Sequence, residues 1–181
     1  MYLIQQKLIG IFLGLALAAT LAGTAQAQVK PWTVIADTSQ RFQLLSTLND
    51  AAVLDRETGL IWQRMPVSNT GQNFGTDWAF AINSCYGQSI NGRPGWRLPT
   101  VEEMLNLLNY GVFGPDDSHL PLGHPFQNVL TGVVNYYWTS SVDPSDSTKA
   151  YGVTVNANIS APVSFAKSDN RGIWCVRGGS Q

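Results

Sequence analysis

The sequence predicts an α+β fold, with two helices packed on a twisted, mainly antiparallel sheet and long irregular loops between elements. Three observations carry that prediction. Two helix-like segments, 76–87 and 100–111, each with its own start signal, lie in the amino-terminal half. Strand-like segments with two-residue alternation close the chain. Between them, residues 112–135 are rich in Gly, Pro, Asp and His and carry few regular signals.

The amino-terminal end holds one lysine (Lys7), an uncharged apolar run from Leu8 to Leu21, and the small-x-small triplet Ala25-Gln26-Ala27. This is the layout of a secretory signal peptide cleaved before Gln28, the run being short for a membrane span. The expected division is a signal peptide at 1–27, a lead-in strand or linker at 28–50, and a single domain at 51–181. The expected location is the periplasm or outside the cell. With 44% hydrophobic and 13% charged residues the remainder is a folding chain and not a disordered one. Without Lys7, ten basic residues face twelve acidic ones. The basic residues are scattered singly, so nothing attracts a phosphate backbone and nucleic acid is not an expected partner. No second apolar stretch of spanning length follows, so no membrane span is expected after cleavage.

Taken in order, Val53-Leu54 and Leu60-Ile61-Trp62 flank a turn at Asp55–Gly59, which predicts a β-hairpin with its acids and arginine on the turn surface. The polar stretch 68–75 reads as a loop. Thr76 is the expected N-cap of the first helix, with Asp77 in its first turn. Trp78, Ile82 and Cys85 then share one face. Trp96–Leu98 is a short strand, and Thr100 with Glu103 forms a capping box for a second helix with Met104, Leu105, Leu107 and Leu108 on its apolar face and Gly111 at its end. Within 112–135, Pro125–Leu130 has the pattern of one helical turn. Strands are expected in NYYWTSS, AYGVTVN and GIWCVRG, with a less regular one in PVSFA. Apolar residues on both parities of the last strand predict a central position covered on both faces.

Two cysteines in an exported chain, Cys85 and Cys175, allow a single pairing. The alternatives at this point are two buried thiols or a shared metal. The histidines, His119 and His124, lie in a different chemical context from the two sulfurs.

The succession DRETGLIWQR, WAFAINSCYG, GWRLPTVEEMLNLLN, YYWTSS, AYGVTV and IWCVRGG resembles the DUF1566 family, described as the carboxy-terminal domain of the Legionella collagen-like protein. The resemblance runs from about Val53 to Gly179. It implies a C-type-lectin-like fold, in which an early helix is disulfide-bonded to the last strand and a long loop region precedes the closing strands. Cys85, Cys175 and residues 111–135 match those two features. It further implies a bacterial envelope or secreted protein. No collagen-like or repeat stretch accompanies the domain in this chain.

The chemistry-bearing residues divide into structural and candidate binding sets. Arg97 and Arg177, together with Thr100 and Glu103, are expected to fix strand and helix ends. Asp116, Asp117 and His119 in the long loop and Tyr136 and Trp138 on the following strand are the candidate ligand contacts, since one face of that strand is expected to be open. Asp143, Ser145 and Asp146 offer oxygens that suit calcium, but lectin Glu-Pro-Asn and Trp-Asn-Asp motifs and EF-hand series are absent, so no cofactor or metal is expected. No GxSxG, HExxH or Cys-His arrangement occurs, and the adjacent acid pairs 102/103 and 116/117 point their carboxylates apart. The expected function is a non-enzymatic binding module recognising a protein or a glycan. The alternative is a structural or assembly subunit of an envelope or surface apparatus.

Overall fold

A computed structural model describes residues 38–67, 75–108, 117–132, 135–158 and 161–178. The signal-peptide reading of 1–27, the polar loop 68–74, the helix stop at Gly111 and the candidate Asp116 lie outside the described residues.

A four-residue helix α1 (Thr38–Arg41) leads directly into β1 (Phe42–Leu44), and a 3-10 turn (Ser46–Leu48) returns the chain into β2 (Ala52–Asp55). The turn ends on Asn49 with φ 53° and Asp50 with φ 55°, two residue types that tolerate the left-handed region. The hairpin continues into β3 (Ile61–Gln63). Next come α2 (Trp78–Tyr86), β4 (Trp96–Arg97), α3 (Val101–Leu107), β5 (Tyr137–Val142), β6 (Lys149–Val153), β7 (Val163–Ala166) and β8 (Val176–Arg177). One sheet has the order β1-β2-β3-β8-β4 and a second the order β5-β6-β7, with every ladder antiparallel. The result is the expected α+β arrangement of two main helices on antiparallel sheet with long loops.

Alternate residues of a strand face opposite sides, and the larger sheet separates two apolar clusters on that basis. Val53, Trp62, Trp174 and Val176 face the side of α3, where Met104 and Leu107 are fully buried. Ala52, Trp96, Ile173 and Cys175 face the side of α2, with Ala81 and Cys85. The expectation that the last strand is central and covered on both faces holds: β8 lies between β3 and β4. Its regular ladder is shorter than GIWCVRG, because Arg171, Gly172 and Ile173 each bridge a different segment, at Thr76, Tyr137 and Val67. Gly172 links the two sheets there, and a Cβ at that position would lie 2.9 Å from the Tyr137 ring.

Several local expectations change. Asp77, not Thr76, caps α2: its side chain accepts from the Phe80 N–H, while Thr76 is drawn into the bridge with Arg171. Gly75 before it has φ +93°, and a Cβ would sit 2.0 Å from the Arg171 carbonyl oxygen, so this close approach requires glycine. Ala81 takes the centre of the buried face, leaving Trp78 and Ile82 half-buried at its margins. Helix α3 ends at Leu107 with Leu108 extended, and Pro125–Leu130 holds no helix. Asp55 is not on the turn surface but fully buried. Arg41 holds it with two hydrogen bonds of 3.0 and 2.9 Å and also donates to the Asn106 carbonyl at 2.6 Å. A buried carboxylate survives only when so paired.

Candidate binding site

Cys85 and Cys175 form a disulfide, Cα atoms 5.5 Å apart, across 90 residues of chain. It joins α2 to the segment entering β8, and the Cys175 N–H donates to the Gln63 side-chain oxygen at 3.1 Å. Both sulfurs are therefore unavailable as nucleophiles or metal ligands.

At the β4–α3 corner Arg97 donates to both carboxylate oxygens of Glu103, at 2.7 and 2.6 Å. Glu103 also accepts from the Thr100 N–H at 2.9 Å, while the Thr100 hydroxyl accepts from the Glu103 N–H, completing the capping box. Burial pushes the Glu103 carboxyl up, but the bonds from Arg97 and Thr100 outweigh it and leave it below the ordinary value. The Arg97 guanidinium is correspondingly raised, first by its hydrogen bond to Glu103. Arg97 also reaches the Leu98 and Gly178 carbonyls, so both its terminal nitrogens are used within the fold. Arg177 is half-buried in β8, opposite both Ile61 and Trp96.

The candidate ligand contacts do not converge. Asp117 is exposed, with φ 56°, and its carbonyl accepts from the Ala157 N–H. His119 is buried instead of presented: Ser118 bridges Asn156, the His119 N–H donates to Val155, and Leu120 and Phe126 enter the core. Gln127 and Leu130 are tied in turn to the Arg64 carbonyl and the Tyr137 hydroxyl. The described part of the long loop is therefore anchored to the fold at Ser118–Leu120, Phe126, Gln127 and Leu130.

Tyr136 is half-buried, edge-on to Phe165 at 4.8 Å. Trp138 is 0% exposed, which removes it as a ligand contact. The expectation of an open face at this part of the strand is incorrect because the first half of β5 is covered on both sides, with Tyr137 in the α3-side cluster and Trp138 in the α2-side cluster, and only its second half, from Ser140, reaches the surface. The Trp138 indole N–H is used by the Thr76 carbonyl at 2.7 Å. Burial raises the Tyr137 phenol well above its ordinary value.

Asp143 accepts from the Ser145 N–H and hydroxyl and from the Ser164 hydroxyl. These bonds, led by Ser164, hold its carboxyl at about 2. Asp146 does the same for Thr148. Their oxygens close turns, and among the described residues no group of three or more His, Cys, Asp or Glu is placed to hold a metal ion.

Concave surface occurs elsewhere. A recess of about 430 Å³ lies where α3 begins beside the β5–β6 hairpin, lined in part by Glu102, Val142, Pro144 and Tyr151. A second, of about 410 Å³, lies beside the 3-10 turn and includes Gln63, Arg64 and Gln88. Sequence reading missed both, because each is assembled from three or more segments distant in the chain and no motif announces such a meeting.

A family model described as the Lcl C-terminal domain matches residues 51–177. No curated protein matches the chain. Among the described residues no helix is long and apolar enough to cross a membrane.

Proposed function

Since the chain belongs to the Lcl C-terminal domain family, a family of non-catalytic binding domains, we propose that it is an exported binding module that recognises a protein or a glycan in the periplasm or outside the cell. The amino-terminal segment 1–27 acts as its cleaved leader, and the remainder works as one disulfide-clasped domain. The observation that carries the reading is how the polar chemistry is distributed. Cys85, Cys175, Arg97, Glu103, Asp143 and Asp146 are all engaged in holding the fold, whereas open recesses sit on the surface beside side chains left facing solvent. Such an arrangement suits recognition on a fixed scaffold.

A second reading, an assembly subunit, is favoured by a separate observation. Phe80 and Tyr86 on α2 are 59% and 80% exposed, large aromatic surface of the kind that protein interfaces cover.

The test is a glycan-array screen of the exported protein beside crosslinked capture from the native envelope, with sequencing of the mature amino terminus. The expected product begins at Gln28 and retains a defined glycan or a defined protein. Retention of neither, or a leader still attached in a membrane fraction, would contradict the proposal. Phe80→Ser and Tyr86→Ser abolishing all capture would favour the assembly subunit.

A further inference from the structure

The recess at the start of α3 has a chemistry of its own. Val101, Val142, Pro144 and Pro162 supply hydrocarbon walls, Tyr151 a phenol ring and Glu102 a carboxylate; no basic residue lines it. Glu102 is exposed, and its carboxylate has no ion-pair or hydrogen-bond partner among the described residues. Its neighbour Glu103 is wholly engaged by Arg97 and Thr100. Lys149 on the same hairpin pairs with Asp146 at 3.4 Å and does not line the recess.

Resting on the binding-module reading, we propose that this recess takes a lysine or arginine side chain from a basic segment of a partner polypeptide. The hydrocarbon stem lies along the valine and proline walls and the cationic head meets Glu102 and Tyr151. Lysine and arginine are the side chains that combine a long apolar stem with a positive head. A carboxylate and an aromatic ring are the two groups that attract such a head. A sugar fits less well. It needs several convergent hydrogen-bonding groups, and the polar side chains here are Glu102, Ser141 and Tyr151, of which Ser141 already accepts from the Val101 N–H at 3.1 Å. The volume of about 430 Å³ admits a side chain or two and not a folded domain.

The protein purified from a host exporting the full chain is titrated with Nα-acetyl-lysine amide, Nα-acetyl-norleucine amide and methyl α-glucopyranoside, followed by backbone amide NMR. The lysine amide is expected to shift the amides of Val101, Glu102, Val142 and Tyr151, with the neutral norleucine amide and the glucoside weaker. Glu102→Gln should weaken lysine binding by about two- to fivefold, the worth of an exposed ion pair, and Glu102→Lys should abolish it, with the melting temperature nearly unchanged. Equal binding of lysine amide to wild type and Glu102→Lys, tighter glucoside binding at the same amides, or no shift there overturns the proposal. If envelope crosslinks survive Glu102→Lys and the wild type ignores lysine amide, this recess assignment fails and the binding-module reading stands. Lysine-specific shifts with no glycan or partner captured would support the recess and count against the broader reading.

Discussion

Helices α2 and α3 belong to the two apolar clusters on opposite sides of the larger sheet, and they are held there by different means. Helix α3 buries Met104 and Leu107 completely in seven residues, is capped at both the side-chain and backbone level by Thr100 and Glu103, and is tied through Asn106 to the buried Arg41–Asp55 pair. Helix α2 is longer but buries only Ala81 and Cys85 in full, and one of those is the disulfide. Its other anchors are polar: the Trp78 indole donates to the Thr139 carbonyl at 2.8 Å, and Lys167 lies 4.2 Å from the centre of the Trp78 ring. A helix with little apolar area on its inner face gains little from burial, at about 25 cal/mol per Å². A covalent bond to the segment entering β8 adds to that small contribution on α2, and α3 has no such bond.

The largest effect is expected from removing that bond. The Cys85→Ala/Cys175→Ala double variant should lose about 4 to 5 kcal/mol by chain entropy for a closure of 90 residues, measured by urea denaturation. Amide exchange should show α2 losing more protection than α3. Equal loss in both helices would mean that the clasp stabilises the domain as a whole and that α2 has no special dependence on it.

Next in size is Arg41→Ala. Among the described residues it leaves the fully buried Asp55 carboxylate with the Glu57 N–H as its remaining hydrogen-bond donor, and it removes the tie to Asn106. A loss of about 3 to 5 kcal/mol is expected for breaking a buried pair, with the exchange pattern reversed so that α3 loosens first. A loss under about 1 kcal/mol would show that the segment before β2 is not integral to the domain, although β1 pairs with β2.

The smallest effect concerns pH. Glu103 and Asp143 both titrate below their ordinary values of 4.5 and 3.8 in the folded state. The folded state therefore holds fewer protons than the unfolded state in that range. Their contribution is fully present above those ordinary values and is lost as pH falls through the folded ones, down to about 2 for Asp143. The disulfide does not titrate, so the clasp on α2 persists in acid while the α3 corner loosens. The difference in melting temperature between wild type and Glu103→Gln should shrink as pH falls below the ordinary value of 4.5. A constant difference would assign the role of Glu103 to shape and not to charge.

What could be read from the sequence follows from how far apart the interacting residues lie. The capping box of α3 is contained in Thr100–Glu103, and its acceptor and donors are set by one local geometry. The pairing of Cys85 with Cys175 was legible for a different reason, since two cysteines permit one bond. The central position of the last strand was visible as apolar residues on both parities, and Ile173 and Trp174 do enter opposite clusters. The same sign is present in Tyr137-Trp138, where the expectation is an open face. Adjacent aromatics look alike in a one-sided strand and in a two-sided one until the covering layers are known. The cap of α2 was misplaced by one residue because Thr76 and Asp77 are both competent caps, and the choice was made by Arg171, far along the chain.

The amino-acid sequence by itself determined the kind of chain this is: an α+β domain of the Lcl C-terminal family with two capped helices, one disulfide and a sheet closed by its last strand. Those properties depend on residue type, short-range spacing and a single possible pairing. Tertiary structure alone decided that Arg41 and Asp55 form a buried pair, that His119 and Trp138 are core, and that Glu102 faces Tyr151 and two prolines across an open recess. The reason is that burial and concavity are properties of segments brought together from distant parts of the chain, and no local pattern carries information about which segments will meet.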